Sequence, residues 1–156
     1  MKTRSDFHTM PGHLVRRAHQ ISVAIFMEEC ADHNVTPVQY ACLAAIARLP
    51  GVDATRLAAA VAFDRSTLGN VLERLESKGW VVRRPSPEDR RVKLLHITEE
   101  GEKLLDAIEP AVLATQKRIL KPLSPNDRKT FMRLLGELVD GNNEMSRAPL
   151  KLGAEE

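Results

Sequence analysis

Apolar residues recur at helical spacing through most of the 156-residue chain, and this pattern predicts six α-helices. Each begins at a good N-terminal cap or beside a proline that tolerates the first helical turn. The predicted helices span residues 12–33, 37–49, 54–61, 65–78, 99–120 and 125–140. The first of them carries an apolar face formed by Leu14, Ala18, Ile21 and Ile25.

The pattern changes from a helical to a strand period between the fourth and fifth helices. Residues 80–84 and 92–97 are short runs of β-branched and apolar side chains, separated by a seven-residue basic segment with two prolines. These runs predict a two-stranded hairpin with a basic tip. Two helices, a short helix, a turn, another helix and then a hairpin form the element order of a winged helix-turn-helix.

The composition is that of a globular protein, since 43% of the residues are hydrophobic and 28% are charged. The longest apolar runs, 40–47 and 57–63, fall short of the roughly 18 residues that a membrane span needs. No apolar stretch stands in or behind the first ten residues, so the sequence does not indicate a secretory signal. We therefore expect a cytoplasmic protein.

Basic residues are concentrated in the middle of the chain, although the formal net charge is only +2. Residues 53–98 hold nine basic and six acidic side chains, and the stretch 83–93 alone holds five basic and two acidic ones. A local basic cluster on a nearly neutral protein is typical of binding to an anionic partner at one place. A solvated surface loop has the same charge pattern, so charge alone leaves both interpretations open.

The helix over residues 65–78 has the side chains that a DNA-reading helix needs. Its apolar members fall within about one third of the circumference. Its polar face carries Ser66, Asn70 and Arg74, with Thr67 at the border. Arg bonds guanine, Asn bonds adenine, and Ser or Thr serves base or phosphate. An ordinary amphipathic surface helix remains the alternative, and the neighbouring basic hairpin favours DNA reading.

The order of these motifs resembles the MarR family of bacterial transcription regulators. The segments that carry the resemblance are 74–83, with Arg-Leu followed by Lys-Gly-Trp, the tip 86–91, with Asp-Arg-Arg, and 94–101, which ends in Thr-Glu-Glu-Gly. Asp64 to Thr67 is similar to the start of the family's recognition helix. The motifs cover roughly residues 53–101, and the number of flanking helices also agrees.

The resemblance implies a DNA-binding role for ten residues. Ser66, Thr67, Asn70 and Arg74 fall on the face that contacts bases and phosphates in the family. Arg91 corresponds to the wing residue that enters the minor groove, and Asp89 to the acidic residue that braces it. A narrow minor groove concentrates negative potential, which attracts a guanidinium. The remaining basic residues of the surface, which neutralise phosphates, are Arg65, Arg84, Arg90 and Lys93.

The family resemblance also implies a pocket for an aromatic carboxylate or phenolic effector, between the first two helices, the fifth helix and the DNA-binding core. Arg17, with His13 one turn before it, suits the carboxylate, because a planar guanidinium matches its geometry. Phe26 and Tyr40 are expected to form the apolar wall. The alternative is that Arg17 pairs with an acidic residue across a dimer interface.

The predicted fold class is mainly α with a small β wing, in which the winged helix-turn-helix core is flanked by N- and C-terminal dimerisation helices. The N-terminal helix, for dimerisation and the ligand pocket, covers residues 1–35, and the DNA-binding domain covers residues 36–98. The C-terminal dimerisation helices cover residues 99–144, and a flexible tail covers residues 145–156.

No motif of an enzyme, a metal site or a cofactor site is present in the sequence. The five histidines lack metal-ligand spacing, and there is no nucleophile elbow, P-loop or dinucleotide fingerprint. We therefore expect no catalytic residues, no metal and no cofactor. Cys30 and Cys42 are too few for a disulfide framework and are expected to be buried.

The sequence thus predicts a ligand-responsive repressor that binds a pseudo-palindromic operator as a homodimer and is released by a small aromatic acid. Its expected partners are double-stranded DNA, a small effector and a second copy, and no membrane. Two alternatives remain: a regulator that senses oxidants through Cys30, and an all-helical protein-interaction module without DNA binding.

Overall fold

Six α-helices and one small antiparallel sheet form the fold in the computed structural model, which describes residues 6–153. The helices are α1 (Pro11–Glu29), α2 (Pro37–Arg48), α3 (Ala54–Val61), α4 (Arg65–Ser77), α5 (Glu99–Leu120) and α6 (Pro125–Gly141). The strands are β1 (Val52–Asp53), β2 (Val81–Pro85) and β3 (Lys93–Ile97). Single 3-10 turns stand at Phe7–Thr9, Ala31–His33 and Asn143–Met145. Between Asp6 and Gly153, no helix is long and apolar enough to cross a membrane.

Side-chain caps fix where five of these helices begin, which confirms the predicted starts. At α2, Thr36 Oγ1 accepts a hydrogen bond from Gln39 N at 3.2 Å, and Gln39 Oε1 accepts one from Thr36 N at 3.3 Å. This reciprocal pair satisfies two backbone donors that the helix itself leaves free. The side chains that cap α3, α4, α5 and α6 are Asp53, Asp64, Thr98 and Ser124.

The sheet has three strands in the order β1-β3-β2, so the predicted two-stranded hairpin was incomplete. Val52 pairs with Leu95, and Val81 pairs with Ile97, both in antiparallel register. A strand of two residues is too short to show a period in the sequence, and its pairing partner lies about 40 residues away. Only the folded chain therefore reveals β1.

Two apolar clusters form the core of a single chain. The larger one holds the winged helix-turn-helix together, and its fully buried members are Cys42, Leu43, Ile46, Leu57, Leu68, Leu72, Leu75 and Leu95. The second joins α1 to α5 through Phe26, Cys30 and Ile108. Arg118 of α5 reinforces this junction, because its guanidinium bonds Glu29 at 2.6 Å and Glu28 at 3.1 Å.

Gly101 sets how closely α5 approaches the start of the wing. A Cβ atom at this position would collide with the carbonyl oxygen of Trp80 and would stand 2.7 Å from Cγ1 of Ile97. Thr98 Oγ1 donates a hydrogen bond to Gly79 O at 2.6 Å in the same place. The motif glycine is thus required by packing between a helix and a backbone.

The outer helices leave much apolar surface uncovered. No residue of α6 is buried, and Phe131, Leu134 and Leu138 are 39%, 50% and 48% exposed. On α1, the predicted apolar face is also open, since Leu14 and Ile21 are 54% and 47% exposed. These faces do not belong to the core of one chain.

The C-terminal segment, where the sequence predicts a flexible tail over residues 145–156, contacts the helix-turn-helix. Met145 ends a 3-10 turn, and Lys151 N donates to Ala59 O of α3 at 2.9 Å. This pairing joins residues that are 92 positions apart, so no local pattern indicates it. The last three residues of the predicted tail lie outside the described range.

Candidate nucleic-acid interface

Helix α4 presents a polar face to solvent, as its sequence pattern predicts. Leu68, Leu72 and Leu75 are buried against the core, whereas Ser66, Asn70 and Arg74 are exposed. Gly79, with a positive φ of 75°, ends the helix and turns the chain into β2. The core therefore fixes the orientation of the helix, and the polar face is free for contacts.

A groove separates α4 from the start of α2. It has a volume of about 260 Å³ and is lined by Thr36, Val38, Gln39, Thr67, Asn70, Val71 and Arg74. Asn70 and Arg74 make no side-chain hydrogen bond within residues 6–153, so their polar groups are available there. The groove brings two of the predicted base-reading residues to one side of the helix.

Two of the predicted contact residues are already engaged within the protein. Thr67 Oγ1 donates to Asp64 Oδ2 at 3.1 Å, and Arg65 Nη1 donates to Thr55 Oγ1 at 2.6 Å. The hydrogen bonds from the amide and hydroxyl of Thr67 lower the pKa of the Asp64 carboxyl, and the nearby charge of Arg147 lowers it further. The cap of α4 thus remains ionised well below neutral pH.

The wing tip holds its arginine on an aspartate, as the resemblance implies. Arg91 Nε and Nη2 donate to the two carboxylate oxygens of Asp89, each at 3.1 Å, and Arg91 N donates to Asp89 Oδ1 at 3.0 Å. The side chain of Arg91 is nevertheless 91% exposed. These hydrogen bonds hold the pKa of Asp89 below its usual value. The guanidinium is therefore oriented and remains accessible.

The other basic residues of the wing divide between the two faces of the hairpin. Arg84, Arg90 and Lys93 are exposed, as predicted for phosphate contacts. Arg83 turns the other way, and its Nε lies 2.8 Å from Glu76 Oε2 of α4. Sequence reasoning missed this ion pair, which links the wing to α4.

Lys78 is a second residue whose role the sequence did not show. Its ammonium donates to Asn34 O at 2.5 Å, approaches Gln39 Oε1 at 3.4 Å and lies 4.6 Å from the ring centroid of Trp80. It thereby fastens the end of α4 to the corner between α1 and α2. The lysine of the family motif is its only signal in the sequence.

The four predicted ligand residues do not line one cavity within a single chain. Tyr40 lines a cavity of about 840 Å³ on the outer side of α2 and α3, together with Arg48, Val61 and Leu152. Phe26 lies 6.0 Å from Tyr40 between ring centroids, but it lines a separate groove of about 290 Å³ between α1 and α5.

His13 and Arg17 lie toward the other end of α1. Arg17 is about 13 Å from Phe26 along the axis, because an α-helix rises about 1.5 Å per residue. His13 Nδ1 lies 3.3 Å from Arg16 Nη2, and its ring packs edge-on against that of Phe7. Arg17 is exposed and forms no ion pair within the described part of the chain. His13 and Arg17 thus lie apart from Phe26 on α1, and the predicted effector pocket stays a prediction.

Both cysteines are free and buried. Burial raises the pKa of the Cys42 thiol to about 12. Burial also raises the pKa of Cys30, against a hydrogen bond with Thr115 that lowers it. Because the thiolate is the reactive form, this environment disfavours the alternative of oxidant sensing through Cys30. Among residues 6–153, no cluster of three or more metal-binding side chains occurs.

A helix with a free polar face beside a basic wing defines a DNA-binding protein of the winged helix-turn-helix class. Comparison with known proteins identifies the family, because a model of the MarR family matches residues 33–92. The HTH-type transcriptional repressor NicR of Pseudomonas putida is 31% identical over 140 residues, which are 90% of this chain and 89% of that protein. The chain belongs to the MarR family and is a transcriptional regulator rather than an enzyme.

Solved structures agree in fold. BpsR of Bordetella bronchiseptica, studied for regulation of its DNA binding by 6-hydroxynicotinic acid, superposes with a TM-score of 0.82 at 29% identity, over 88% of this chain and 98% of that one. A mutant of MarR from E. coli complexed with operator DNA superposes with a TM-score of 0.79 at 26% identity, over 86% of this chain and 99% of that one.

Proposed function

We propose that this protein is a homodimeric repressor that binds a pseudo-palindromic operator and leaves it when a small aromatic acid binds. The observation that carries the proposal is the uncovered apolar surface of α1 and α6. A folded monomer rarely exposes so many large apolar side chains on its outer helices. A second copy of the chain offers the same surface, and most soluble homo-oligomers are two-fold symmetric dimers.

A two-fold dimer presents two copies of α4 and of the wing to DNA. The two half-sites are then expected about one helical turn apart, roughly 10 base pairs between centres. Within each half-site, Ser66, Asn70 and Arg74 read base edges and neighbouring phosphates, while Arg91 enters the minor groove. Asp89 orients Arg91. The residues that position the protein on the DNA backbone are Thr67, Arg65, Arg84, Arg90 and Lys93.

The relatives support repression and an aromatic effector. NicR is named a repressor, and the acid that regulates DNA binding of BpsR is an aromatic carboxylic acid by its name. By this similarity, we propose a small aromatic carboxylate as the effector here. Release requires that it bind more tightly to a dimer whose two reading helices no longer match successive grooves, since equal affinity for both geometries shifts nothing.

Arg17 is the proposed anchor of the carboxylate, with His13 beside it and with Phe26 and Tyr40 as apolar walls. Its guanidinium is exposed on α1, on a helix whose apolar face is open to a second copy. Because Arg17 lies about 13 Å from Phe26 along α1, we propose that the dimer completes the site. Arg48, which lines the cavity beside Tyr40, is the competing anchor.

A melting-temperature screen with aromatic acids, including 6-hydroxynicotinic acid, tests this function, because a ligand of the folded dimer raises its stability. Arg17→Ala should weaken binding of the effector by about 1.5–3 kcal/mol, or roughly 10- to 100-fold in affinity, and should leave operator affinity nearly unchanged. Arg48→Ala is the matched control and should keep the response.

Three results would contradict the proposal in different ways. A normal response in Arg17→Ala, with loss in Arg48→Ala, would move the anchor to the cavity on α2. If no aromatic acid acts and oxidants release the protein only while Cys30 is present, the redox alternative would replace the effector. If the wild-type protein binds every DNA sequence with the affinity that it has for random DNA, the proposal that it recognises an operator is wrong.

A further inference from the structure

The segment that follows α6 forms a closed loop on the surface of the helix-turn-helix. Asn143 Oδ1 accepts a hydrogen bond from Leu150 N at 2.9 Å, and Asn143 Nδ2 donates to Leu150 O at 3.0 Å. Ser146 Oγ accepts from Ala148 N at 3.2 Å within the loop. The hydrogen bond from Lys151 N to Ala59 O then attaches the loop to α3. We call residues 143–153 the C-terminal loop.

The C-terminal loop brings positive charge to the start of α4. Arg147 lies close enough to Asp64, the cap of α4, for its charge to act on that carboxylate. Lys151 lies at Ala59, which shares a face of α3 with Arg56 at i, i+3 spacing. Arg147 and Lys151 are exposed, and no acidic residue stands between Met145 and Gly153.

These residues extend the basic surface that already surrounds the first turn of α4. Arg56 and Arg65 are exposed on α3 and α4, and the C-terminal loop adds two cations beside them. The N-terminal residues of a reading helix contact base edges in the major groove, and the phosphates of the DNA backbone line the edge of that groove. Cations at this edge therefore face the DNA backbone when α4 is in the groove.

We propose that the C-terminal loop is part of the DNA interface, with Arg147 and Lys151 binding phosphates at the edge of each half-site. This inference rests on the proposed reading of DNA by α4. Phosphate contacts made by guanidinium and ammonium groups add affinity without reading sequence. The internal hydrogen bonds hold the loop in place before DNA arrives, so less conformational entropy is lost on binding.

The test compares the full-length double variant Arg147→Gln/Lys151→Gln with the control Lys129→Gln, which removes one exposed cation from α6. Binding to operator and to random DNA is measured by fluorescence anisotropy between 50 and 200 mM salt. The double variant removes about four phosphate contacts from a dimer, so the slope of log affinity against log salt should fall by about 3 to 4. Affinity should fall at least about tenfold at 0.1 M salt, equally on both DNAs.

The control should keep the wild-type slope and affinity. If the double variant keeps the wild-type slope of log affinity against log salt, the inference is wrong. This holds even if its melting temperature has dropped, because the loop would then stabilise the fold without contacting DNA. In that case, loss of specificity in Arg74→Ala would show that α4 still reads DNA and that the proposed function stands. A wild-type protein without DNA binding overturns both.

Discussion

At the scale of single residues, the wing shows how one carboxylate orients an exposed cation. Asp89 and Arg91 are two positions apart, and the turn between them lets both carboxylate oxygens accept from the guanidinium. A bidentate pair of this kind fixes the direction of the side chain more strictly than a single contact. The exposed Arg91 thus has fewer conformations to lose in the groove contact that we propose.

Arg91→Ala should weaken operator binding by about 1–3 kcal/mol at fixed salt, because one well-placed groove arginine is lost. Asp89→Ala should weaken it less, since Arg91 remains and only its orientation is lost. Anisotropy titration against one operator duplex measures both. Wild-type affinity in Arg91→Ala would contradict the role of the wing in the minor groove.

The same pair gives a prediction about the pKa of Asp89. In Arg91→Ala, this pKa should rise part of the way toward its ordinary value of 3.8, because the hydrogen bonds from the guanidinium are lost, whereas the one from the backbone amide of residue 91 remains. Since the folded pKa is the lower one, the pair supports the wing above about pH 3.8, and this support is lost as the pH falls further. A carboxyl titration by NMR of both proteins measures the shift. An unchanged pKa would mean that the pair does not form in solution.

At the scale of elements, α4 is positioned by contacts at both ends and along its buried face. Asp64 caps its start, Lys78 ties its end to the corner between α1 and α2, and Arg83 of the wing pairs with Glu76. These contacts join α4 both to the wing and to the corner between α1 and α2. The groove beside α2 leaves Asn70 and Arg74 free to contact DNA.

Substitutions on α4 should separate base reading from backbone contact. Asn70→Ala and Arg74→Ala should reduce the ratio of operator to random-DNA affinity, because base contacts carry sequence information. Arg65→Ala should lower affinity for both DNAs alike and serves as the control. Paired titrations at one salt concentration measure the ratio. If all three variants lower both affinities equally, another element reads the sequence.

At the scale of the whole molecule, the chain has one part with a core of its own and another part without one. The winged helix-turn-helix buries its leucines internally, and α1 is held to α5 by Phe26, Cys30 and Arg118. By contrast, α6 contributes no buried residue in a single chain. We therefore expect dimerisation to stabilise the outer helices more than the DNA-binding part.

Leu134→Asp/Leu138→Asp should convert the proposed dimer into a monomer, because two charges would enter an apolar interface. Both side chains are about half exposed in one chain, so the DNA-binding part should keep its fold. Lys129→Asp, on the same helix, is the control and should remain dimeric. Sedimentation velocity gives the mass, and circular dichroism reports the fold. A double variant that remains dimeric would show that α6 is not the interface.

The sequence by itself determined the helices, the wing and the family. Thr36, Asp53, Asp64 and Thr98 act within a few residues of their own positions, so local pattern was sufficient to predict where these helices begin. The polar face of α4 also followed from helical periodicity, because the apolar residues of this helix all fall on the opposite face. Asp89 and Arg91 are neighbours in sequence, and their pairing could be inferred from the motif.

Only the tertiary structure decided the contacts between distant segments. Four of these contacts join positions that no helical or strand period relates. They are the pairing of β1 with β3, the ion pair of Glu76 with Arg83, the hydrogen bond from Lys78 to Asn34, and the hydrogen bond from Lys151 to Ala59. The tertiary structure also showed that Phe26 and Tyr40 line separate cavities. Periodicity and caps report on neighbours along the chain, whereas these contacts depend on how the core orients whole elements.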